Sequence, residues 1–74
     1  MSNTYVTFGR DHTHRVNGVT IDKDCVAVIK CSNTKEGRDL AFKLFNTKFF
    51  CEYHEDEFNM NNLKFFPRGL INVN

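Results

Sequence analysis

The sequence predicts an α+β domain of two layers, in which one helix packs on a mostly antiparallel four-stranded sheet in the order β-β-α-β-β. Three observations predict this class: two alternating segments flank an Asn-Gly turn, a helical apolar stripe follows, and two short alternating segments come last. The chain has 74 residues, and 41% of them are hydrophobic. We expect residues 1–74 to form a single small domain.

Residues 4–31 are expected to form one long first hairpin around Asn17 and Gly18, because both residues tolerate the positive φ of a type I′ turn. This turn sets a register in which the opposed pairs include Val16 with Val19, Phe8 with Ala27, and Val6 with Ile29. The apolar side chains that then share one face are Val6, Phe8, Cys25, Ala27 and Ile29.

The outer half of this hairpin differs from the inner half. Residues 10–16 and 19–24 are mostly polar, so they cannot all be buried. We expect this half to project as an arm or to fold over the body as a loop, with Gly9 hosting a bulge or bend where it begins.

Residues 33–45 are predicted to form the helix. Asn33 is a good N-cap, and Glu36 stands three positions later, at the spacing of a capping box. Asn46 suits the left-handed position after the last turn. The stripe at helical spacing consists of Gly37, Leu40, Ala41, Leu44 and Phe45.

Two further strands complete the predicted sheet. Residues 48–54 alternate, with Phe49, Cys51 and Tyr53 on one face and Phe50, Glu52 and His54 on the other. Residues 58–63 are expected to form a loop or a short helical turn, and residues 65–69 an extended approach and a turn. Residues 70–73 are expected to form a short strand at an edge of the sheet.

Composition narrows the classes of function. Ten Lys and Arg against nine Asp and Glu give a net charge of +1, which argues against a basic nucleic-acid clamp and a membrane-surface binder. No segment has the apolar length of a membrane span, and we expect no membrane partner. Three cysteines are an odd number, which favours free thiols in a reducing compartment.

Two pairs of side chains have the composition of half a metal site. His12 and His14 share a strand face and can chelate a metal or contact a partner. Cys51 and His54 are three apart, so they point to opposite faces if the strand continues through His54. Two ligands do not make a site, and the chain has no catalytic constellation. We therefore expect no metal, no cofactor and no enzyme activity.

Charged side chains of two regions are candidates for contacts with a partner protein. These residues are Arg10, His12, His14 and Arg15 of the outer hairpin and Glu52, Glu55, Asp56 and Glu57 of the third strand and its end. The acidic residues can bind a basic groove of a partner in the way that phosphate groups do. The alternative is that they are solvated side chains at the end of a strand and have no partner.

A second hypothesis is the binding of single-stranded nucleic acid. Lys64, Phe65, Phe66 and Arg68 interleave aromatic rings with positive charge, as in a stacking platform. The alternative is that these aromatic side chains belong to the core of a small domain.

Several short motifs occur together in this chain. They are Thr7-Phe8-Gly9 with His12 after it, the stripe from Ala41 to Phe45, Phe49 with Cys51 and Tyr53-x-Glu55, and Phe66-Pro67-x-Gly69. In these motifs the chain resembles a family of very small uncharacterised phage-encoded proteins. The resemblance covers most of the chain. It fails at Asn46, where the pattern favours Gly. The resemblance implies a phage origin and the host-cell cytoplasm, and no mechanism.

The leading hypothesis is therefore a phage accessory protein that binds a host protein or nucleoprotein complex and inhibits a defence or nucleic-acid machine, in the manner of anti-CRISPR proteins. An exposed edge at the last strand, or at the outer hairpin, can also pair with another copy, so a homodimer is possible.

Overall fold

The computed structural model describes residues 2–74, which form six strands, one α-helix and one 3₁₀-helix. In chain order these are β1 (Ser2–Thr7), β2 (His14–Val16), β3 (Val19–Ile21), β4 (Cys25–Cys31), α1 (Thr34–Phe45), β5 (Cys51–His54), the 3₁₀-helix (Met60–Phe65) and β6 (Gly69–Asn72). The α+β class is confirmed. The order β-β-α-β-β differs from the structure, because the outer hairpin forms two short strands of its own.

The main sheet has the strand order β5-β1-β4-β6, and β2 with β3 forms a separate two-stranded sheet. The strand β1 is antiparallel to both β4 and β5, whereas β6 runs parallel to β4. The four-stranded sheet is therefore mixed. The parallel pair arises because the chain crosses from one edge strand, β5, to the opposite edge before β6 begins. The prediction that the last strand lies at an edge is confirmed.

The first hairpin is interrupted between its inner and outer halves. Asn17 and Gly18 form the predicted turn, with φ of 52° and 79°, and Val16 lies opposite Val19. In the inner half, however, Val6 lies opposite Ala27, so the predicted pairing of Phe8 with Ala27 is wrong by two residues.

The shift has a simple cause. Six residues, 8–13, separate Thr7 from His14, but only four, 22–25, separate their partners Ile21 and Val26. The surplus residues lie in a turn in which the Gly9 carbonyl accepts a hydrogen bond from the His12 amide at 3.2 Å. A shift of two residues keeps every side chain on its face. The predicted apolar face is therefore intact and buried.

Local signals explain the bounds of α1. The side chain of Asn33 accepts a hydrogen bond from the Glu36 amide at 2.8 Å, and the Glu36 carboxylate accepts one from the Ser32 amide at 2.9 Å. At the other end Asn46 has a positive φ of 57°, but its ψ of −127° lies outside the predicted left-handed helical region, and its amide donates to the carbonyl of Phe42.

The sheet is covered on both faces, which extends the predicted two-layer arrangement. On one face α1 packs over a core whose buried members are Val6, Phe8, Ile21, Cys25, Ala27, Ile29, Ala41, Phe45 and Val73. On the other face, Tyr5, Val26 and Val28 pack with Phe58, and Leu63 and Phe66 lie against them. Residues 58–66 thus supply a partial third layer, which explains why β4 has only one exposed residue.

The third predicted strand is shorter than expected. The strand β5 begins at Cys51, and residues 49 and 50 bend before it. Phe49 consequently packs on the helix side, where its ring lies 5.4 Å from Phe42, while Tyr53 packs on the opposite face. The prediction that Phe49 and Tyr53 share a face is wrong for this reason.

Candidate functional site

A groove of about 480 Å³ opens beside the cluster of Tyr5, Val26, Val28 and Phe58, between the turn after β1 and the 3₁₀-helix. Its aromatic lining consists of Phe8, Phe50, Tyr53, Phe58, Phe65 and Phe66. Volumes of this size are typical of sites that bind small ligands or a few side chains of a partner. The groove is thus a concave and largely aromatic feature of the described residues.

The floor of the groove is held by packed rings. Phe58 is only 9% exposed, and its ring stacks on Tyr5 with centroids 4.9 Å apart. Tyr53 meets Phe58 edge-on at 5.7 Å. Such pairs stabilise beyond the area that they bury. The floor is therefore part of the fold and is preformed.

The walls have a different character. Phe50 is 72% exposed and Phe65 is 65% exposed. The Nζ atom of Lys64 lies 5.2 Å from the centroid of the Phe65 ring. Two large apolar side chains therefore border one groove and remain largely in water, an arrangement typical of interaction sites.

The charged residues that line the groove balance each other. Arg10 and Lys23 are positive, and Asp24 and Glu57 are negative. Lys23 Nζ forms an ion pair with Asp24 Oδ1 at 3.1 Å, and a Glu57 carboxylate oxygen accepts a hydrogen bond from the His54 amide at 3.1 Å. The groove thus has no excess of either charge.

Residues from both sequence-based hypotheses meet at this groove. Arg10 and Glu57 come from the predicted partner-binding set, and Phe65 and Phe66 come from the nucleic-acid set. Arg68 of the second set does not line the groove; its guanidinium lies 3.5 Å from Asp22 Oδ1.

The predicted contact residues of the outer hairpin lie in different environments. The ring of His14 turns inward, 5.5 Å from Phe8 and 4.9 Å from Phe45, so the outer hairpin folds over the body instead of projecting. His12 is half-buried and Arg15 is exposed. For these residues the contact with a partner stays a prediction.

The acidic residues are spread over two faces. Glu52 lies on the helix side, where a carboxylate oxygen is 3.9 Å from Arg38 Nε. Asp56 lies 3.5 Å from His54 Nδ1, and Glu55 is half-buried. Of these carboxylates, Glu57 lines the groove.

Ten groove residues belong to neither predicted set, namely Thr7, Phe8, Gly9, Lys23, Asp24, Phe50, Tyr53, Phe58, Asn59 and Asn62. One signal was available for Phe50. The chain contains two Phe-Phe pairs, 49–50 and 65–66, and in each pair one ring packs while the other is exposed. Adjacent aromatic residues outside a two-sided buried strand predict such a division.

No cysteine or histidine belongs to the lining of the groove, although the Cys51 side chain lies next to Tyr53. Burial raises the pKa of the Cys25 thiol, and a hydrogen bond with the Cys51 side chain raises the pKa of Tyr53. Within residues 2–74 no three side chains of His, Cys, Asp or Glu come together as metal ligands, and no helix has the length and apolar composition to cross a bilayer.

Comparison with models of protein families, with curated proteins and with solved structures gave no match.

Proposed function

We propose that this protein acts by binding a segment of a partner protein in the aromatic groove. The observation that carries the proposal is the pair of exposed rings, Phe50 and Phe65, that line the same groove as the packed rings of its floor. A few aromatic side chains, surrounded by contacts that exclude water, usually supply most of the binding energy of a protein interface. We further propose that this chain is a phage accessory protein of the anti-CRISPR or anti-defence type. Its partner would be a host protein or nucleoprotein complex, which it inhibits in the host cytoplasm.

The charge balance of the groove favours a protein partner over a nucleic acid. Affinity for a phosphate backbone depends on several unpaired Lys or Arg side chains. Here Lys23 is paired with Asp24, Glu57 lies in the same lining, and Arg68 lies beside Asp22. A peptide segment carries no such charge requirement, and its apolar side chains can pack against the rings.

A second candidate function is the binding of single-stranded nucleic acid. The exposed Phe65 ring with Lys64 beside it supports this alternative, because a base can stack on the ring while the ammonium group meets a phosphate. Such binding weakens steeply as the salt concentration rises.

The experiment compares wild type with a Phe50→Ser/Phe65→Ser variant and a Phe42→Ser control. Phe42 is also an exposed aromatic residue, but it lies on the helix side next to Phe49. A protein captured from bacterial lysate is identified, purified and titrated by calorimetry against all three.

We expect the double variant to lose at least about tenfold in affinity for this partner, and the control to retain it. Equal affinity of all three proteins contradicts the groove as the binding site. Salt-sensitive binding of oligothymidylate by wild type and the Phe42→Ser control, but not by the double variant, supports the second candidate.

A further inference from the structure

The outer edge of β6 has unpaired backbone groups. The Val73 amide donates to the Val28 carbonyl at 3.1 Å, so the backbone of Val73 points toward β4. Along a strand, successive residues direct their N–H and C=O groups to opposite sides. The backbone groups of Leu70 and Asn72 therefore point away from β4, to the open edge of the sheet.

The strand β6 is only four residues long and follows Pro67 and Arg68, but it lacks the other usual protective features within its own span. Residues Gly69–Asn72 include no charge and no proline, and Leu70 is 42% exposed. The helix α1 packs over β4, β1 and β5. Natural proteins usually block an exposed edge with a charge, a proline, a bulge or a covering segment, because an open edge pairs with other strands.

The opposite edge of the sheet is blocked. In β5 the outward amide of His54 donates to the Glu57 carboxylate, and Glu52 adds a charged side chain. Within the four-stranded sheet of residues 2–74, β6 is therefore the edge that is open to another strand. Pairing through a single edge joins two molecules and then stops, which gives a closed dimer and not a fibre.

We propose that two copies of this chain pair through β6 as a symmetric antiparallel dimer with Ile71 on the two-fold axis. In this register Leu70 of each copy lies opposite Asn72 of the other, so all four outward N–H groups find a carbonyl. The flanking pairs are Gly69 with Val73 and Arg68 with Asn74. No like charges oppose each other, which makes the strand complementary to itself.

The proposal is independent of the proposed function, because β6 contributes no residue to the groove. In the dimer the two four-stranded sheets form one continuous sheet of eight strands. Four backbone hydrogen bonds make a small interface, so the dimer is expected to be weak and to depend on concentration.

The test combines sedimentation equilibrium with amide hydrogen exchange by NMR on the full chain, at concentrations up to about 1 mM. The variants are Leu70→Lys, which charges the edge, and Asn72→Pro, which removes an outward N–H without removing a bond to β4. The control is Val19→Lys, since Val19 is an exposed apolar residue of β3.

We expect a monomer–dimer equilibrium for wild type and Val19→Lys, and dimerisation weakened at least about tenfold in the two edge variants. In wild type, exchange at Leu70 and Asn72 should slow as concentration rises, while the Ile71 amide stays protected throughout. A monomer at every concentration overturns the proposal. A dimer that both edge variants leave unchanged overturns it as well.

Discussion

The Nε2 atom of His14 lies 2.6 Å from the carbonyl oxygen of Lys48 and joins the outer hairpin to the loop after the helix. A carbonyl oxygen only accepts hydrogen bonds, so Nε2 carries the proton. The ring also packs against Phe8 and Phe45. A histidine in a mostly polar hairpin thus holds that hairpin on the core.

We expect His14→Ala to lower the free energy of unfolding by about 2 kcal/mol, because both the hydrogen bond and the ring contacts are lost. His14→Phe should have an intermediate effect, since it keeps a ring but loses the donor. Urea denaturation measures both. Arg15→Ala, at an exposed neighbouring position, should change stability by less than about 0.5 kcal/mol. Equal stability of His14→Ala and Arg15→Ala would show that the histidine does not anchor the hairpin.

Gly37, at the end of the first turn of α1, is required by close packing. A Cβ atom at this position would lie 2.8 Å from Thr4 Cβ and 3.0 Å from Cys31 Sγ, both of which belong to buried side chains of the sheet. Helix propensity alone predicts that Gly37→Ala stabilises by about 1 kcal/mol. We expect it instead to destabilise by about 1–3 kcal/mol in urea unfolding, because the helix must move away from the sheet. The control Asp39→Ala is exposed and should be nearly neutral; stabilisation by Gly37→Ala would refute the close approach.

The buried thiol of Cys25 predicts a loss of stability in alkali. Burial raises the pKa of the folded thiol above its ordinary value of 9.0, so the unfolded chain releases the proton first. The stabilisation is complete below that value and is lost as the pH rises through the folded pKa, at up to about 1.4 kcal/mol per pH unit.

Cys25→Ser removes this ionisation but retains a group that can bond to Asp22, as the thiol does at 3.4 Å. The free energy of unfolding, measured from about pH 8 to pH 10.5, should therefore fall less steeply with pH in the variant than in wild type. Identical slopes would mean that the thiol ionises equally in the folded and unfolded chains. Tyr53, whose pKa is also raised, is present in both proteins and does not enter the comparison.

The exposed walls of the groove should contribute little to folding. We expect Phe50→Ser and Phe65→Ser each to change the free energy of unfolding by less than about 0.5 kcal/mol, because both rings are largely in water. Phe58→Ser should cost about 3 kcal/mol or more, since that ring is buried in the floor. Thermal and urea denaturation of the three variants measure these changes in the free energy of unfolding. If the Phe50→Ser or Phe65→Ser variant loses much stability, that ring contributes to folding, and its presence does not require a role in binding.

Local patterns predicted the local parts of this fold. The turn at Asn17 and Gly18 and the capping of α1 by Asn33 each depend on a few neighbouring residues, and both are present. The shift of the inner register could not be predicted, because it depends on how many residues the turn after β1 holds. The parallel direction of β6 depends likewise on a crossing that no local pattern encodes.

The candidate site shows the same division. Phe65 and Phe66 were selected for their aromatic character, and Arg10 and Glu57 for their charge, in separate hypotheses. Their meeting at one groove results from the packing of residues 58–66 against the face of the sheet opposite α1. That packing is a tertiary contact, so composition and spacing do not reveal it.

The most direct test of the groove as a protein-binding site is photocrosslinking in bacterial cells. A photoreactive benzoylphenylalanine replaces Phe65 in one protein and, as control, Phe42 in another. We expect irradiation to produce adducts at position 65 that protease digests and nuclease leaves intact, with few or none at position 42. Nuclease-sensitive adducts at position 65, or equal adducts at both positions, would contradict the binding of a partner protein in this groove.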